Sequence, residues 1–181
     1  RVARLGHRLR GVFLLADDTV VGEEEDSPKT VPETGDAWIV DPIDGTNNFV
    51  RDIEEFATAV AAVTDGDPTA AAVVLPAHDD AYVADETTAT RNDESISVST
   101  VSDPELACVV PTVWWPQNRR DEYAQACGAI VRRFADLRRF GSAQAALARL
   151  AAGSVEGVVT NVDCNPWDTV AGAAMVEWAG G

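Results

Sequence analysis

The sequence predicts a mixed protein of the α/β or α+β class. Short apolar runs of strand length and segments with apolar residues at helical spacing occur in both halves of the chain. The 181 residues correspond to one domain or one compact pair of lobes, and a hydrophobic fraction of 46% is ordinary for a globular protein. The chain shows no internal repeat and no apolar run long enough to span a membrane.

The first half is predicted to consist mainly of strands. Residues 1–15 carry apolar side chains at helical spacing and are predicted to be the end of a helix. The residues Asp65, Gly66, Asp67 and Pro68 predict a turn between two strands, and residues 87–94 are predicted to be a polar loop. The predicted strands of this half are residues 37–40, 57–63, 70–75, 81–84 and 95–99.

The second half mixes strands with longer helices. Residues 106–113 and 155–160 are predicted strands. Residues 120–134, 142–152 and 167–178 are predicted helices because their apolar residues recur at helical spacing. Gly153 follows the second helix, Pro166 precedes the third and Gly180 follows it, as expected for helix boundaries.

The charge of the chain excludes several kinds of partner. The 30 acidic and 14 basic residues give a net charge of −16, which repels nucleic-acid polymers and anionic membranes, so neither is predicted to be a partner. The three cysteines lack close metal-ligand spacing and predict a reducing, cytoplasmic location. Lys29 is the only lysine, which favours a halophilic origin; an arginine-rich, GC-rich genome is the alternative.

The most informative motif is DPIDGT at residues 41–46, directly after an apolar strand. Asp41 and Asp44 are separated by a proline, which disfavours one helix but lets both carboxylates converge on a turn at the strand end. Converging carboxylates need a cation or a shared proton. Gly45 permits close approach of a ligand to the backbone, and Thr46 offers a hydroxyl and an N–H suited to a phosphate or a water. A simple Asp-initiated turn is the structural alternative.

Two weaker motifs become informative when they are considered together with DPIDGT. The acidic residues that follow Gly22 read on their own as a solvated loop. Asp168, in the first turn of the last helix, reads on its own as a residue that complements the helix dipole. Apolar-GEE, apolar-DPIDGT and WDxxAG in this order resemble the inositol monophosphatase family of magnesium-dependent, lithium-sensitive phosphatases. The resemblance covers nearly the whole chain, including the segment at residues 141–143 and the closing EWAGG.

The resemblance implies a fold and a site. The fold would be the layered αβαβα sandwich of the sugar phosphatases, with an N-terminal metal- and phosphate-binding lobe at residues 1–102 and a C-terminal lobe at residues 103–181. Two or three Mg²⁺ ions are implied, with Li⁺ as an inhibitor, a small phosphorylated polyol or sugar as substrate, and a homodimer. The implied metal ligands are Glu23, Asp41, the backbone carbonyl of Ile43, Asp44 and Asp168.

The implied catalytic residues are Glu23, Asp44 and Thr46, with Thr46 orienting the attacking water. The reaction would be an in-line attack of a metal-bound hydroxide on a phosphate monoester, without a phosphoenzyme. The implied substrate-binding residues are Asp44, Gly45, Thr46, Gly141, Ser142, Asn161 and Asp168.

The chain departs from the family pattern in two places. A further metal-binding aspartate of the family would fall just before Arg1, so we interpret the sequence as a fragment, which also ends before the family does. The family position that binds inositol hydroxyls with an acid is Asn161 here, with Asp163 two residues later. An asparagine can still bind a sugar but weakens the case for inositol. Arg138 and Arg139 are predicted to lie on the surface rather than to contact a second phosphate.

Other functions remain open at this stage. Phosphatases for fructose-1,6-bisphosphate, 3′-phosphoadenosine 5′-phosphate or histidinol phosphate share the superfamily, and a dual-specificity archaeal enzyme fits the predicted halophilic origin. A haloacid-dehalogenase-type phosphatase is disfavoured, because its two acids stand two residues apart and Asp41 and Asp44 stand three apart. A non-catalytic metal- or phosphate-binding protein is the alternative of a different class, and the EF-hand pattern is absent from the sequence.

Overall fold

The computed structural model of the chain describes residues 18–23, 27–113, 117–160 and 164–181. Its largest element is a seven-stranded sheet whose strands are ordered in space as they are along the chain. The first two strands pair in parallel and the later ones pair antiparallel. The strands are β1 (Thr19–Gly22), β2 (Asp36–Asp44), β3 (Ala57–Thr64), β4 (Asp67–Leu75), β5 (Asp80–Asp85), β6 (Thr88–Arg91) and β7 (Glu94–Ser95).

A second sheet and several helices complete the described part of the chain. The second sheet is parallel and comprises β8 (Cys108–Pro111), β9 (Asp136–Leu137) and β10 (Gly157–Val159), with β8 in the middle. Single turns of 3₁₀ helix occur at Pro76–His78, Pro104–Leu106 and Gln117–Arg119. The α-helices are α1 (Thr46–Phe49), α2 (Arg120–Arg133), α3 (Ala143–Ala151) and α4 (Pro166–Trp178).

The central strands of the large sheet follow the expected alternation. In β3 every second residue is buried, and these residues are small or β-branched, which lets helices approach the sheet closely. Asp65 and Gly66 connect β3 to β4 with φ values of 53° and 90°. These positive values are those of a two-residue hairpin whose twist matches the strands. The turn is confirmed at Asp65 and Gly66, whereas Asp67 and Pro68, also predicted to lie in it, already belong to β4.

Helix α3 lies between the two sheets. Ala145 and Ala148 belong to the main hydrophobic core with the large sheet, whereas Ala146 packs with Val110 and Val155 beneath the second sheet. The small side chains of this helix allow both faces to be buried. The arrangement is a mixed α/β sandwich, as predicted.

Helices α3 and α4 pack unusually closely. A Cβ atom added to Gly172 of α4 would lie 2.5 Å from the Cβ atom of Leu147 in α3. Helix α4 also covers the large sheet through Trp167, Ala171 and Met175. Helices α3 and α4 of the second half therefore both pack on the sheet formed by the first half, and the lobe boundary between residues 102 and 103 stays a prediction.

Some predicted elements differ from the observed ones. Residues 87–94 were expected to form a loop, but Thr88–Arg91 form β6, because they pair with β5 on one side and with the edge strand β7 on the other. The strand predicted at residues 95–99 is wrong beyond Ser95; instead the Val98 N–H donates to the carbonyl of Ala179 at the end of α4. The helix predicted at residues 1–15 lies outside the described residues.

The other predicted strands and helices are present with modest changes in their ends. Strands predicted at residues 106–113 and 155–160 are shorter, at Cys108–Pro111 and Gly157–Val159. No helix in the described part of the chain is long and apolar enough to cross a membrane.

Candidate active site

The DPIDGT motif lies on a bulged strand end rather than on a turn. Asp41 pairs with Ala59 and Asp44 with Ala57, so three steps along β2 match two steps along β3. In a regular strand, residues three apart point to opposite faces of the sheet. The extra residue of the bulge reverses this alternation and lets Asp41 and Asp44 face the same region. Pro42 lies within the irregular stretch, where its missing N–H costs no regular ladder bond.

Hydrogen bonds hold the bulge in shape. The Ile43 N–H donates to Asp41 Oδ1 at 3.0 Å, and the Thr58 hydroxyl donates to the Pro42 carbonyl at 2.7 Å. The Thr46 hydroxyl donates to the Ile43 carbonyl at 3.0 Å. The resemblance assigns the Ile43 carbonyl to the metal and the Thr46 hydroxyl to the attacking water. These two groups are therefore hydrogen-bonded to each other.

Gly45 is required where the strand turns into α1. Its φ is 87°, a left-handed conformation that residues other than glycine rarely adopt. A Cβ atom there would lie 3.1 Å from both the Glu55 carbonyl oxygen and the Ser142 Cβ atom. The glycine thus brings the backbone of the motif directly against the start of α3.

The beginning of α3 holds Asp44. The Ser142 hydroxyl donates to Asp44 Oδ2 at 2.5 Å, and the Gln144 N–H donates to the same oxygen at 2.7 Å. Ser142 also caps α3 by accepting from the Ala145 N–H. Burial raises the pKa of Asp44 above its usual range, while the hydrogen bonds from Ser142 and Gln144 act in the opposite direction.

Asp168 enters the site from the first turn of α4. Its Oδ2 atom accepts from the Asn165 N–H at 3.0 Å and from the Asn165 side-chain amide at 3.2 Å. This is the helix-start geometry that the sequence suggests as the structural alternative. Both properties coexist, because the carboxylate caps the helix and also lines the same cavity as Asp44.

The acids are close enough to perturb one another. Burial and the neighbouring Asp44, followed by Asp168 and Glu23, raise the pKa of Asp41 to about 7, against an opposing hydrogen bond from the Ile43 N–H. The other three predicted carboxylate ligands therefore lie near enough to Asp41 to raise its pKa. Within residues 18–23, 27–113, 117–160 and 164–181, no three His, Cys, Asp or Glu side chains already stand in a metal-ligating group.

This donor set fits a hard divalent cation. Carboxylate oxygens and a backbone carbonyl are the ligands that Mg²⁺ accepts in proteins, usually together with water and phosphate oxygens. A cation between the acids would offset the repulsion that raises the pKa of Asp41. The chemistry of the residues present therefore agrees with the predicted magnesium, although the side chains are not arranged as a closed cage.

Lys29 contacts Glu23 as well as Trp167, which directly precedes Asp168. Its Nζ atom donates to the carbonyls of Gly22 and Glu23 at 2.9 and 3.0 Å. The same ammonium lies 5.3 Å from the centre of the Trp167 ring, next to Asp168. The single lysine of the chain therefore fixes the end of β1 against the start of α4.

A cavity of about 570 Å³ opens beside Asp44 and Asp168. Five predicted site residues line it, namely Asp44, Gly45, Gly141, Ser142 and Asp168. Arg51 and Arg139 lie on its wall as well. The predicted substrate contact Asn161 lies outside the described residues.

Asn48 lines the same cavity, although the sequence analysis gave it no role in the site. Its side-chain amide donates to the Glu55 carbonyl at 2.6 Å and to the Phe140 carbonyl at 2.7 Å. Gly141 has a φ of 82°, and a Cβ atom there would lie 2.8 Å from the Asn48 amide nitrogen. Asn48 therefore ties α1 to the segment that leads into Ser142.

Comparison with known proteins identifies the family of this chain. The sequence profile of the inositol monophosphatase family matches residues 13–181. The inositol-1-monophosphatase of Bacillus subtilis is 30% identical over 166 residues, covering 90% of this chain and 61% of that protein. Nus factor SuhB of Escherichia coli is 32% identical over 148 residues, covering 80% of this chain and 54% of that protein. A Thermotoga maritima IMPase structure has a TM-score of 0.82 at 30% identity, covering 99% of this chain and 66% of that chain.

The fold and the site define a mixed α/β sandwich with an acid cluster at a bulged strand end. The chain belongs to the inositol monophosphatase family. It spans 61% and 54% of the length of the Bacillus and Escherichia relatives. The family resemblance read from the motifs is confirmed, whereas the halophilic origin and the fragment interpretation stay predictions.

Proposed function

We propose that this protein is a Mg²⁺-dependent phosphatase that hydrolyses the phosphate monoester of a small polyol or sugar, of the inositol-1-phosphate type. The observation that carries the proposal is the meeting of Asp44 and Asp168 in one cavity, with Asp41 and Glu23 close enough to act electrostatically. Such a group of acids next to an open cavity suits a cation that in turn attracts a phosphate.

Glu23, Asp41, Asp44, Asp168 and the Ile43 carbonyl are the groups that would hold two or three Mg²⁺ ions. Bound Mg²⁺ would supply an acidified water as nucleophile and would stabilise the negative charge of the phosphate and the leaving oxygen. These five groups come from β1, the bulge of β2 and the start of α4. The packing of these elements therefore sets the spacing of the ligands.

The remaining residues of the site would position the phosphate and the water. The Thr46 hydroxyl donates its hydrogen bond to the Ile43 carbonyl. The lone pairs of the Thr46 hydroxyl oxygen can therefore accept a hydrogen bond from the attacking water. Glu23 is exposed at the end of β1, where its carboxylate can accept the other proton of that water. Gly45 has no side chain to obstruct the phosphate, which its N–H and that of Thr46 can bind.

The test is phosphate release by the full chain with Mg²⁺, with and without Li⁺. Asp44→Asn should abolish release, because an amide is a poor Mg²⁺ ligand, yet its carbonyl oxygen can still accept from Ser142 and Gln144. Asp67→Asn is the matched control, since Asp67 is exposed at the far end of β4 and should leave turnover unchanged. Retained turnover in Asp44→Asn would refute the assigned metal role.

A bisphosphate or nucleotide substrate is the second candidate, and the wall of the cavity favours it. Arg51 and Arg139 both line the cavity, and Arg139 is exposed at the surface as predicted. Two guanidinium groups suit a second anionic group of a substrate. The candidates are fructose-1,6-bisphosphate, for the protein alone or together with inositol phosphate, and 3′-phosphoadenosine 5′-phosphate. Turnover on inositol-1-phosphate relative to these compounds, at high salt, separates the two functions.

Arg51→Gln and Arg139→Gln sharpen this comparison. If the arginines bind a second phosphate, both variants raise KM for the bisphosphate and leave KM for the monophosphate unchanged. Arg138→Gln is the control, since Arg138 pairs with Asp136 and is absent from the described lining of the cavity. No activity across the whole panel of sugar and nucleotide phosphates would leave a non-catalytic phosphate- or metal-binding protein as the function.

The proposal includes inhibition by Li⁺, a cytoplasmic location and a homodimer. Li⁺ titration of the assay tests the first of these, and fractionation of cells tests the second. Light scattering on the full chain tests the third.

A further inference from the structure

Gln144 is a fully buried polar residue at the second position of α3. Its exposed fraction is 0%, and it lies in a helix otherwise dominated by alanine and leucine. Burying an amide is unfavourable unless both of its polar ends are hydrogen-bonded. The partners of this side chain therefore indicate why an amide stands at this position.

Gln144 makes hydrogen bonds to both acid-bearing elements. Its backbone N–H donates to Asp44 Oδ2 at 2.7 Å. Its side-chain Nε2 donates to the Trp167 carbonyl at 2.7 Å, and its Oε1 accepts from the Gly172 N–H at 2.9 Å. Trp167 directly precedes Asp168, and Gly172 follows it by one turn. One residue thus holds Asp44 and clamps the helical turn that carries Asp168.

The two groups of α4 that this amide contacts also have possible partners within a helix. In a regular helix a carbonyl such as that of Trp167 accepts from the N–H four residues later and keeps a second lone pair, which here accepts from Gln144 Nε2. The Gly172 N–H donates to Gln144 Oε1. What the amide adds is direction, because its donor and acceptor fit only one position and rotation of α4 against α3.

We propose that Gln144 is a positioning residue that fixes Asp168 relative to Asp44 so that a divalent cation can bind between them. The inference rests on the proposed function, since it takes both acids as Mg²⁺ ligands. Gln144 itself is buried and does not touch the cation or the substrate. Its role resembles that of the outer hydrogen-bonding partners which orient metal ligands in other sites.

The test measures Mg²⁺ binding to the full chain by titration calorimetry without substrate, together with the melting temperature. Gln144→Met keeps the length and volume of the side chain but removes both polar ends. Gln144→Leu also removes the donor to Trp167 and the acceptor for the Gly172 N–H, with a shorter apolar side chain. We expect each variant to weaken Mg²⁺ binding by about tenfold or more, the range for residues that orient metal ligands.

The control separates positioning from stability. Val63→Ala removes buried volume from β3 opposite Ala37, at the other end of β2 from Asp44. It should lower the melting temperature while leaving Mg²⁺ affinity unchanged. In the phosphatase assay, the Gln144 variants should need a higher Mg²⁺ concentration for half-maximal rate, and saturating Mg²⁺ should restore much of the turnover.

The outcomes distinguish the inference from the function on which it rests. Unchanged Mg²⁺ affinity in folded Gln144→Met and Gln144→Leu would overturn the positioning role and leave the proposed function intact. Failure of both variants to fold would assign Gln144 to stability alone and would also overturn the role. If the unmodified chain binds no Mg²⁺ and releases no phosphate, the proposed function fails as well.

Discussion

The close approach of α3 and α4 at Gly172 predicts a loss of stability in Gly172→Ala whose magnitude follows from the structure. In Gly172→Ala the new Cβ atom would lie 2.5 Å from Leu147 Cβ, 2.8 Å from Leu147 Cδ1 and 2.9 Å from Gln144 Oε1. Carbon atoms in contact are ordinarily about 3.5–4.0 Å apart, so the helices must separate by about 1–1.5 Å. The Leu147 Cβ atom is attached to the backbone, so no side-chain rotation can relieve this overlap.

The expected loss of stability is about 2 kcal/mol. Overpacking costs about 1–3 kcal/mol, and an overlap this severe belongs at the upper end of that range. Replacing a helical glycine by alanine returns about 1 kcal/mol. For a chain of this size, a net loss of about 2 kcal/mol lowers the melting temperature by about 4–8 °C. Separation of the helices should also weaken Mg²⁺ binding, because α4 carries Asp168.

Calorimetric melting and urea unfolding measure the effect, with two variants as controls. Gly128→Ala in α2 should instead stabilise the protein, since a Cβ atom there meets only the flexible Arg132 side chain at 3.4 Å. Adding Leu147→Ala to Gly172→Ala should not restore stability, because alanine keeps the Cβ atom at 2.5 Å. A Gly172→Ala protein as stable as the unmodified chain would refute the reasoning.

Three further predictions concern Lys29, Asp85 and salt. Lys29→Met should lower the free energy of unfolding by about 1 kcal/mol in urea, because it removes the ammonium from the Glu23 carbonyl and the Trp167 ring; an equal loss in Lys29→Arg would argue against this cause. Hydrogen bonds from the Thr87 hydroxyl and neighbouring groups lower the pKa of Asp85 below 3.8, so Asp85→Ala should be less stable than the unmodified chain at neutral pH. That difference should close as the pH falls through the lowered pKa of the folded state, and a difference that persists in acid would exclude the carboxylate as its source. Because of the net charge of −16, the melting temperature should rise between low and molar salt, and no loss of stability at low salt would contradict the halophilic hypothesis.

Much of the site could be predicted because its motifs are local. DPIDGT combines two acids, a proline and a glycine within six residues, and this combination has few structural explanations. The bulge was not predicted, because it arises from pairing between β2 and β3, which no local pattern encodes. The sequence analysis therefore expected a turn where the structure has an irregular strand end.

The sequence analysis missed Gln144, Asn48 and the contacts of Lys29. A polar residue within the apolar run of α3 was a visible signal for Gln144, and the single lysine was a signal for Lys29. Neither signal indicates which residues the side chain contacts, because the contacted residues lie far away along the chain. Asn48, with Phe49 and Val50, belongs to the family resemblance, but asparagine is ordinary in a loop after a glycine, so no role was predicted for it.

The sequence by itself determined the family and the mixed fold class and predicted which acids form the site, because local spacing and residue chemistry encode these features. Tertiary structure alone decided that Asp41 and Asp44 face one region, that Asp168 enters the same cavity, and that Gln144 joins the helices behind them. These features depend on strand register and on the close approach of α3 and α4 at Gly172. Both result from packing between segments that are distant along the chain, so only the folded molecule specifies them.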